Sequence, residues 1–142
     1  MTADCVFCSI VDGAAPASVV HADDTAVAFL DIAPITPGHL LVVPRAHAVG
    51  LADLDPATGQ HLFGLAQRLA AALRASGLRC EGVNLFLADG AAAFQEVPHL
   101  HLHVLPRWRG DRLKLSYQAG RPSRAELETQ AADLRAALRT RD

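Results

Sequence analysis

Nothing in this 142-residue sequence comes near the roughly 20 consecutive apolar residues that a bilayer-spanning helix requires. The first residues show no basic stretch running into an apolar one, so a cytoplasmic protein with no membrane partner is expected. Cysteine is scarce. Its three copies, an odd number, do not make a disulfide framework and fit a reducing compartment. A dominant charge sign is missing too: 13 basic against 15 acidic residues give a net charge of −2. That balance argues against wrapping nucleic acid through bulk charge. Lysine is nearly absent, Lys114 being the only one, and no internal repeat stands out.

What is present suffices for a core. Hydrophobic residues make up 51% and charged residues 20%, which predicts a single folded domain over 1–142, with 115–142 a C-terminal extension containing a helix. Residues 1–104 carry 4 basic and 10 acidic side chains, whereas 105–142 carry 9 and 5. Positive charge therefore collects in the tail. Short β-type runs fall at Ala17 to His21, Ala26 to Leu30 and His39 to Val43, divided by Asp23-Asp24, Pro34 and Pro37-Gly38. Asp55 suits a helix cap and Pro56 the first helical position. Leu62, Leu65, Leu69 and Leu73 then recur at helical spacing up to a stop at Gly77. Two further strands, Val83 to Ala88 and His99 to Leu105, flank an Asp89 to Glu96 loop. Ser123 to Glu126 reads as a capping box ahead of a stripe of Leu127, Ala131, Leu134 and Leu138. The order β-β-β-α-β-β-α with tight connections predicts an α+β fold, an antiparallel sheet of about five strands with two helices packed against it.

The segment His99-Leu100-His101-Leu102-His103-Val104 carries the chemistry. On a strand, same-face residues lie roughly 6.5–7 Å apart, so three imidazoles line one face while Leu100, Leu102 and Val104 face the core. A half-buried strand with a polar face, a zinc site built on His-x-His, and nucleophilic chemistry at phosphorus all fit that pattern. Context favours phosphorus. Arg107, Arg109, Arg112 and Lys114 follow directly and are expected to draw in anions, and the Gly90 to Glu96 loop is expected to turn backbone N–H groups toward one.

The run Val97 to Arg107 resembles the signature of the histidine-triad (HIT) family of nucleotide hydrolases and transferases. Phe29 to Pro34, Thr36 to Arg45 and the opening Cys5 to Ile10 are similar to the family's other blocks, so the likeness covers about residues 5–114. The resemblance implies that His101 attacks the α-phosphorus of a nucleotide, forming a nucleotidyl-histidine that water hydrolyses, with no need for Mg²⁺. It implies that His103 contacts the phosphate and that His99 supports the nucleophile's surroundings. Asp31 would hold the ribose hydroxyls of an AMP-like purine nucleotide, Phe7, Ile10, Phe29 and Ile32 would form the base slot, and His39 would give hydrogen-bond support. Cys5, Cys8, His47 and His99 match a structural zinc set of some family members. Family members are usually homodimers joined sheet edge to sheet edge.

The loop before the triad departs from the family pattern. Ala88 stands in place of an amide residue and Phe94 in place of a glycine, while Gln95 is kept and counts among the catalytic candidates. Asn84 shares the face of Ala88 but lies about 13 Å away along a strand, too far to substitute for it. A nucleoside phosphoramidase is expected. The alternatives are a dinucleoside polyphosphate hydrolase or phosphorylase, to which Pro106 to Asp111 is similar, and a nucleotide-binding module with weak catalysis.

Overall fold

The computed structural model describes residues 4–141. The chain forms, in order, α1 (Val6–Val11), β1 (Val19–Ala22), β2 (Ala26–Leu30), β3 (Leu40–Pro44), α2 (Pro56–Ala75), β4 (Gly82–Leu87), β5 (Leu102–Arg107) and α3 (Arg124–Arg139), with single 3-10 turns at Leu51–Asp53 and Ala91–Ala93. The five strands make one antiparallel sheet in the order β1-β2-β3-β5-β4. The expected α+β architecture with a five-stranded antiparallel sheet is therefore what the chain adopts.

β2 and β3 are apolar without alternation because both of their faces are covered. Ala26, Ala28, Leu40 and Val42 turn to one face and meet Leu62, Leu65, Ala66, Leu69 and Leu73 of α2, joined by Leu100 and Val104. The four α2 leucines are each 2–5% exposed, and burial of each contributes about 1.5–3 kcal/mol. Asp55 caps this helix by accepting the Thr58 N–H at 3.3 Å, ahead of Pro56. Val27, Phe29, Leu41 and Val43 turn to the opposite face, where α1 lays Cys8 and Phe7 beside Cys5.

The structure differs from the sequence reading in three places. First, α1 was not expected. It has six residues and its N-cap is Cys5, whose sulfur accepts the Cys8 N–H at 3.3 Å. Second, the last strand starts at Leu102 instead of His99. Before that point the backbone bonds elsewhere: the His99 N–H donates to the Val97 carbonyl at 2.9 Å and the Leu100 N–H to the Ala48 carbonyl at 2.7 Å. Third, two helices do pack on the sheet, but they are α1 and α2. α3 has its capping box, with Ser123 accepting from the Glu126 N–H at 3.1 Å and donating its own N–H to Glu126 at 2.6 Å. It contributes no buried residue, and Leu134 and Leu138 stand about two-thirds exposed. Among the described residues, no helix is long and apolar enough to cross a membrane.

Candidate active site and metal centre

The face carrying α1 holds a cavity of about 680 Å³. His101 and His103 lie in its wall with Phe7 and Ile10 from α1, and with Phe29, Asp31, Ile32 and His39 from β2 and the turn that follows. Eight residues singled out from sequence thus meet in one place. The strand order explains the meeting: β5 lies between β3 and β4, and the register sets His103 opposite Leu41 on one side and Phe86 on the other.

Hydrogen bonds fix the tautomer of each ring. The Nδ1–H of His101 donates to the carbonyl of His99 at 2.8 Å, which leaves the Nε2 lone pair free. His39 accepts the Ile35 N–H on Nδ1 at 3.1 Å, so its proton sits on Nε2. From there it donates to Nδ1 of His103 at 2.8 Å, leaving His103 with a free Nε2–H donor. Asp31 stands 3.6 Å from the same His39 nitrogen and accepts the Ala33 N–H at 2.9 Å on its other oxygen. Burial pulls His103 down to about 4, with its neighbours His101 and His39 acting in the same direction, and burial likewise lowers His39. Both rings are therefore neutral donors near pH 7. The ring of Phe7 stands edge-on to His101, 5.1 Å between centroids, and to Phe29 at 5.5 Å. Ile32 forms the rim and is almost fully exposed.

His99 does not line the cavity. It is fully buried and faces a second group, Cys5, Cys8 and His47, with its ring edge-on to Phe7 at 5.9 Å. Its Nε2–H donates to the Pro44 carbonyl at 2.9 Å, which turns the Nδ1 lone pair toward the thiols. That nitrogen lies 3.4 Å from each sulfur and 3.2 Å from Nδ1 of His47, which is itself 3.2 Å from the Cys8 sulfur. Zinc–ligand bonds of about 2.0–2.1 Å to nitrogen and 2.3 Å to sulfur give tetrahedral edges of roughly 3.3–3.8 Å. The observed spacings fit such a site closely, and the donor set is two thiols with two imidazoles.

Other expected contributors are placed differently. The Gln95 amide lies outside the cavity wall: it donates to the carbonyls of Val49 at 2.6 Å and Val97 at 3.1 Å and accepts the Gly90 N–H at 2.9 Å. It staples the loop. The loop uses the N–H groups of Gly90, Ala93, Phe94 and Gln95 internally. Glu96 and Val97, which line the cavity, keep N–H groups without a partner among the described residues. Nor do the basic residues after the triad line it. Arg107 clasps Asp111 through two bonds of 2.6 and 2.9 Å, holding that carboxyl down at about 2, and also reaches Asn84 and the Leu113 carbonyl. Sequence reasoning missed Phe86, whose ring lies 5.8 Å from that of His103. The signal lay in the register of a hairpin and not in any local motif.

A family model, the HIT domain, matches residues 12–110. A HIT-like protein of Mycobacterium tuberculosis is 43% identical over 140 residues, covering 97% of this chain and 95% of its own length. A HIT family protein of Bacillus anthracis superposes with a TM-score of 0.89 at 32% identity, over 95% of this chain and 97% of that one. A zinc-bound histidine triad family protein of Mycobacterium smegmatis is 44% identical with a TM-score of 0.76, over 96% and 99%. With the three histidines on and beside β5 and a match spanning most of its length, the chain belongs to the histidine triad family, within the nucleotide-binding hydrolases and transferases.

Proposed function

We propose that this protein hydrolyses nucleoside 5′-monophosphate derivatives, purine phosphoramidates foremost, at the α-phosphorus through a nucleotidyl-His101 intermediate. The observation that carries the reading is the free Nε2 lone pair of His101 in the cavity wall, its ring locked by the 2.8 Å bond to the His99 carbonyl. The base enters between Phe7, Ile10, Phe29 and Ile32, and Asp31 accepts from the ribose hydroxyls. Nε2 attacks phosphorus, the P–N bond to the leaving amine breaks, and the amine departs with a proton from water. A water molecule then attacks the phosphorus, the bond to His101 breaks, and the nucleoside monophosphate leaves. The Nε2–H of His103, oriented by His39, stabilises charge on the phosphoryl oxygens throughout, with the Glu96 and Val97 amides as further donors. Gln95 serves as a positioning residue that fixes this loop. Single-turnover kinetics with adenosine 5′-phosphoramidate test the reading: rapid amine release is expected, and His101→Ala should slow it by roughly three orders of magnitude or more. An undiminished rate of release in His101→Ala refutes the covalent route, and AMP binding without turnover in the wild type favours a binding module.

Cys5, Cys8, His47 and His99 are proposed to hold one zinc ion. Four protein ligands leave no open position, so the ion would be structural, tying α1 to the strand ends. Its presence in the similar M. smegmatis protein supports this reading. We further propose a cytoplasmic homodimer joined through the outer edge of β4, where Leu85 and Phe86 are exposed. Residues 115–142 would form an extension outside the catalytic unit.

A further inference from the structure

Phe94 is difficult to account for by folding alone. It is the only non-glycine residue with positive φ among the described residues, at φ 67° and ψ 31°, a left-handed conformation that L-residues with side chains rarely adopt. Phe94 is 84% exposed, and its ring belongs to none of the aromatic pairs among the described residues. Strain and an apolar side chain in water both count against stability, and such outliers cluster at ligand sites. Phe94 lines the same cavity as His101 and His103.

The walls of that cavity are unlike each other. α1, β2 and the turn after it supply Phe7, Phe29 and Asp31, on the β3 side of the triad strand. β4 supplies Phe86 on the other side of that strand, and the loop that follows supplies Phe94 and Glu96. A nucleoside seated against Phe7, Phe29 and Asp31 leaves Phe86, Phe94 and Glu96 for the remaining substituent of its phosphorus. The charges there are decisive. Glu96 is acidic, and neither lysine nor arginine lines the cavity among the described residues. Arg107 is committed to Asp111, and Arg79 to Glu81 and the face of Trp108. A leaving group made of further phosphates would meet a carboxylate and no lysine or arginine in the cavity wall. A planar ring carrying an ammonium group meets a stacking surface and an opposite charge.

We propose that Phe94 and Glu96 form a leaving-group subsite that selects aromatic amines bearing a positive charge over phosphate chains. The inference rests on the nucleotide hydrolase reading above and adds the class of leaving group. Adenosine 5′-phosphoramidates of propylamine, phenethylamine and 4-(aminomethyl)phenethylamine, with diadenosine triphosphate beside them, are compared by kcat/KM. The wild type should favour phenethylamine over propylamine by about tenfold or more, favour the ammonium-bearing amine further, and act least well on diadenosine triphosphate. Phe94→Gly, which suits the backbone, should bring the aromatic-to-propyl ratio close to one, and Phe94→Leu should leave it intermediate. Glu96→Gln should remove the additional preference for the ammonium and narrow the gap to diadenosine triphosphate. Turnover with the same ratios in wild type and Phe94→Gly overturns the subsite alone. Absence of turnover of every compound overturns the hydrolase reading and the subsite with it.

Discussion

If the two thiols and two imidazoles hold zinc, its removal should weaken the fold and not merely empty a surface site. α1 has six residues, far below the length at which a helix persists in water, so its place depends on what anchors it. One anchor is apolar: Phe7 is 7% exposed, and its burial is worth about 2–3 kcal/mol. The other is the ion. A ligand at about 1,000 times its dissociation constant stabilises the folded state by about 4 kcal/mol. At about 2.1 cal/mol/K per residue, unfolding this chain of 142 residues carries roughly 0.3 kcal/mol/K, so the ion raises Tm by about 14 °C. The assay is thermal unfolding by circular dichroism with and without a strong chelator, with metal content measured on the same samples. One zinc per chain is expected, with a fall in Tm of roughly 10–15 °C on chelation. Cys8→Ala should reproduce the fall and abolish uptake. A protein shown to be metal-free whose Tm is unchanged would refute the reasoning, because α1 would then be held by packing alone.

In the metal-free protein burial raises the Cys8 thiol to about 11, so zinc must displace its proton near pH 7; titration calorimetry in buffers of differing ionisation heat should show at least one proton released, with affinity falling as pH falls. His39 and His103 are both depressed by burial, so the unfolded chain binds more protons than the folded one below the ordinary imidazole value of about 6.5. Their contribution to stability is therefore complete above that pH and lost as pH falls toward 4, the value of His103, which urea midpoints measured across this range should follow. Replacing Phe94 by glycine relieves a left-handed backbone and should raise stability by about 1 kcal/mol, read as an upward shift in Tm of a few degrees. His39→Phe keeps bulk but removes the donor that fixes the His103 tautomer, and should lower the single-turnover rate about tenfold while AMP binding measured by calorimetry falls less.

The parts of the fold legible in sequence are those where local pattern and tertiary outcome agree. The leucines of α2 and its Asp55 and Pro56 start obey the helical period, and the packing follows. α1 escaped because its cap is a cysteine and its six residues are too few to show a period. The expected start of the last strand at His99 failed for another reason. Alternation of histidine and leucine does hold, Leu100 and Val104 being fully buried, yet the N–H groups of His99 and Leu100 bond to loop carbonyls and not to a neighbouring strand. Side-chain alternation reports extended backbone, not ladder partners. The exposed stripe on α3 is the converse case, an amphipathic helix whose period is evident in sequence while nothing in its own residues tells whether a surface exists to cover it. At the site, the same limit applies to charge. Arg107 follows the triad closely, but Asp111 four residues on takes its guanidinium, and only the fold reveals that commitment.

His99 joins the two centres, and its dual role has a consequence for activity. Its side chain closes the cysteine–histidine set, while its backbone carbonyl is the acceptor that keeps the proton of His101 on Nδ1. A ring shift toward or away from the thiols moves the carbonyl on the same residue, and with it the lone pair aimed at the cavity. Phe7 of α1 stands edge-on to both rings, a second contact between the two centres. Chelation at a temperature where the protein stays folded should therefore lower the rate of the first turnover more than it weakens AMP binding, because the base slot retains Phe29 and Asp31 on β2 and its turn whereas the nucleophile loses its orientation. Single-turnover kinetics and AMP calorimetry on the chelated protein at 15–20 °C below its own Tm, as an approximate margin, measure the two effects separately. Equal loss of both would place the ion's influence on the base slot, and an unchanged rate would disconnect the two centres.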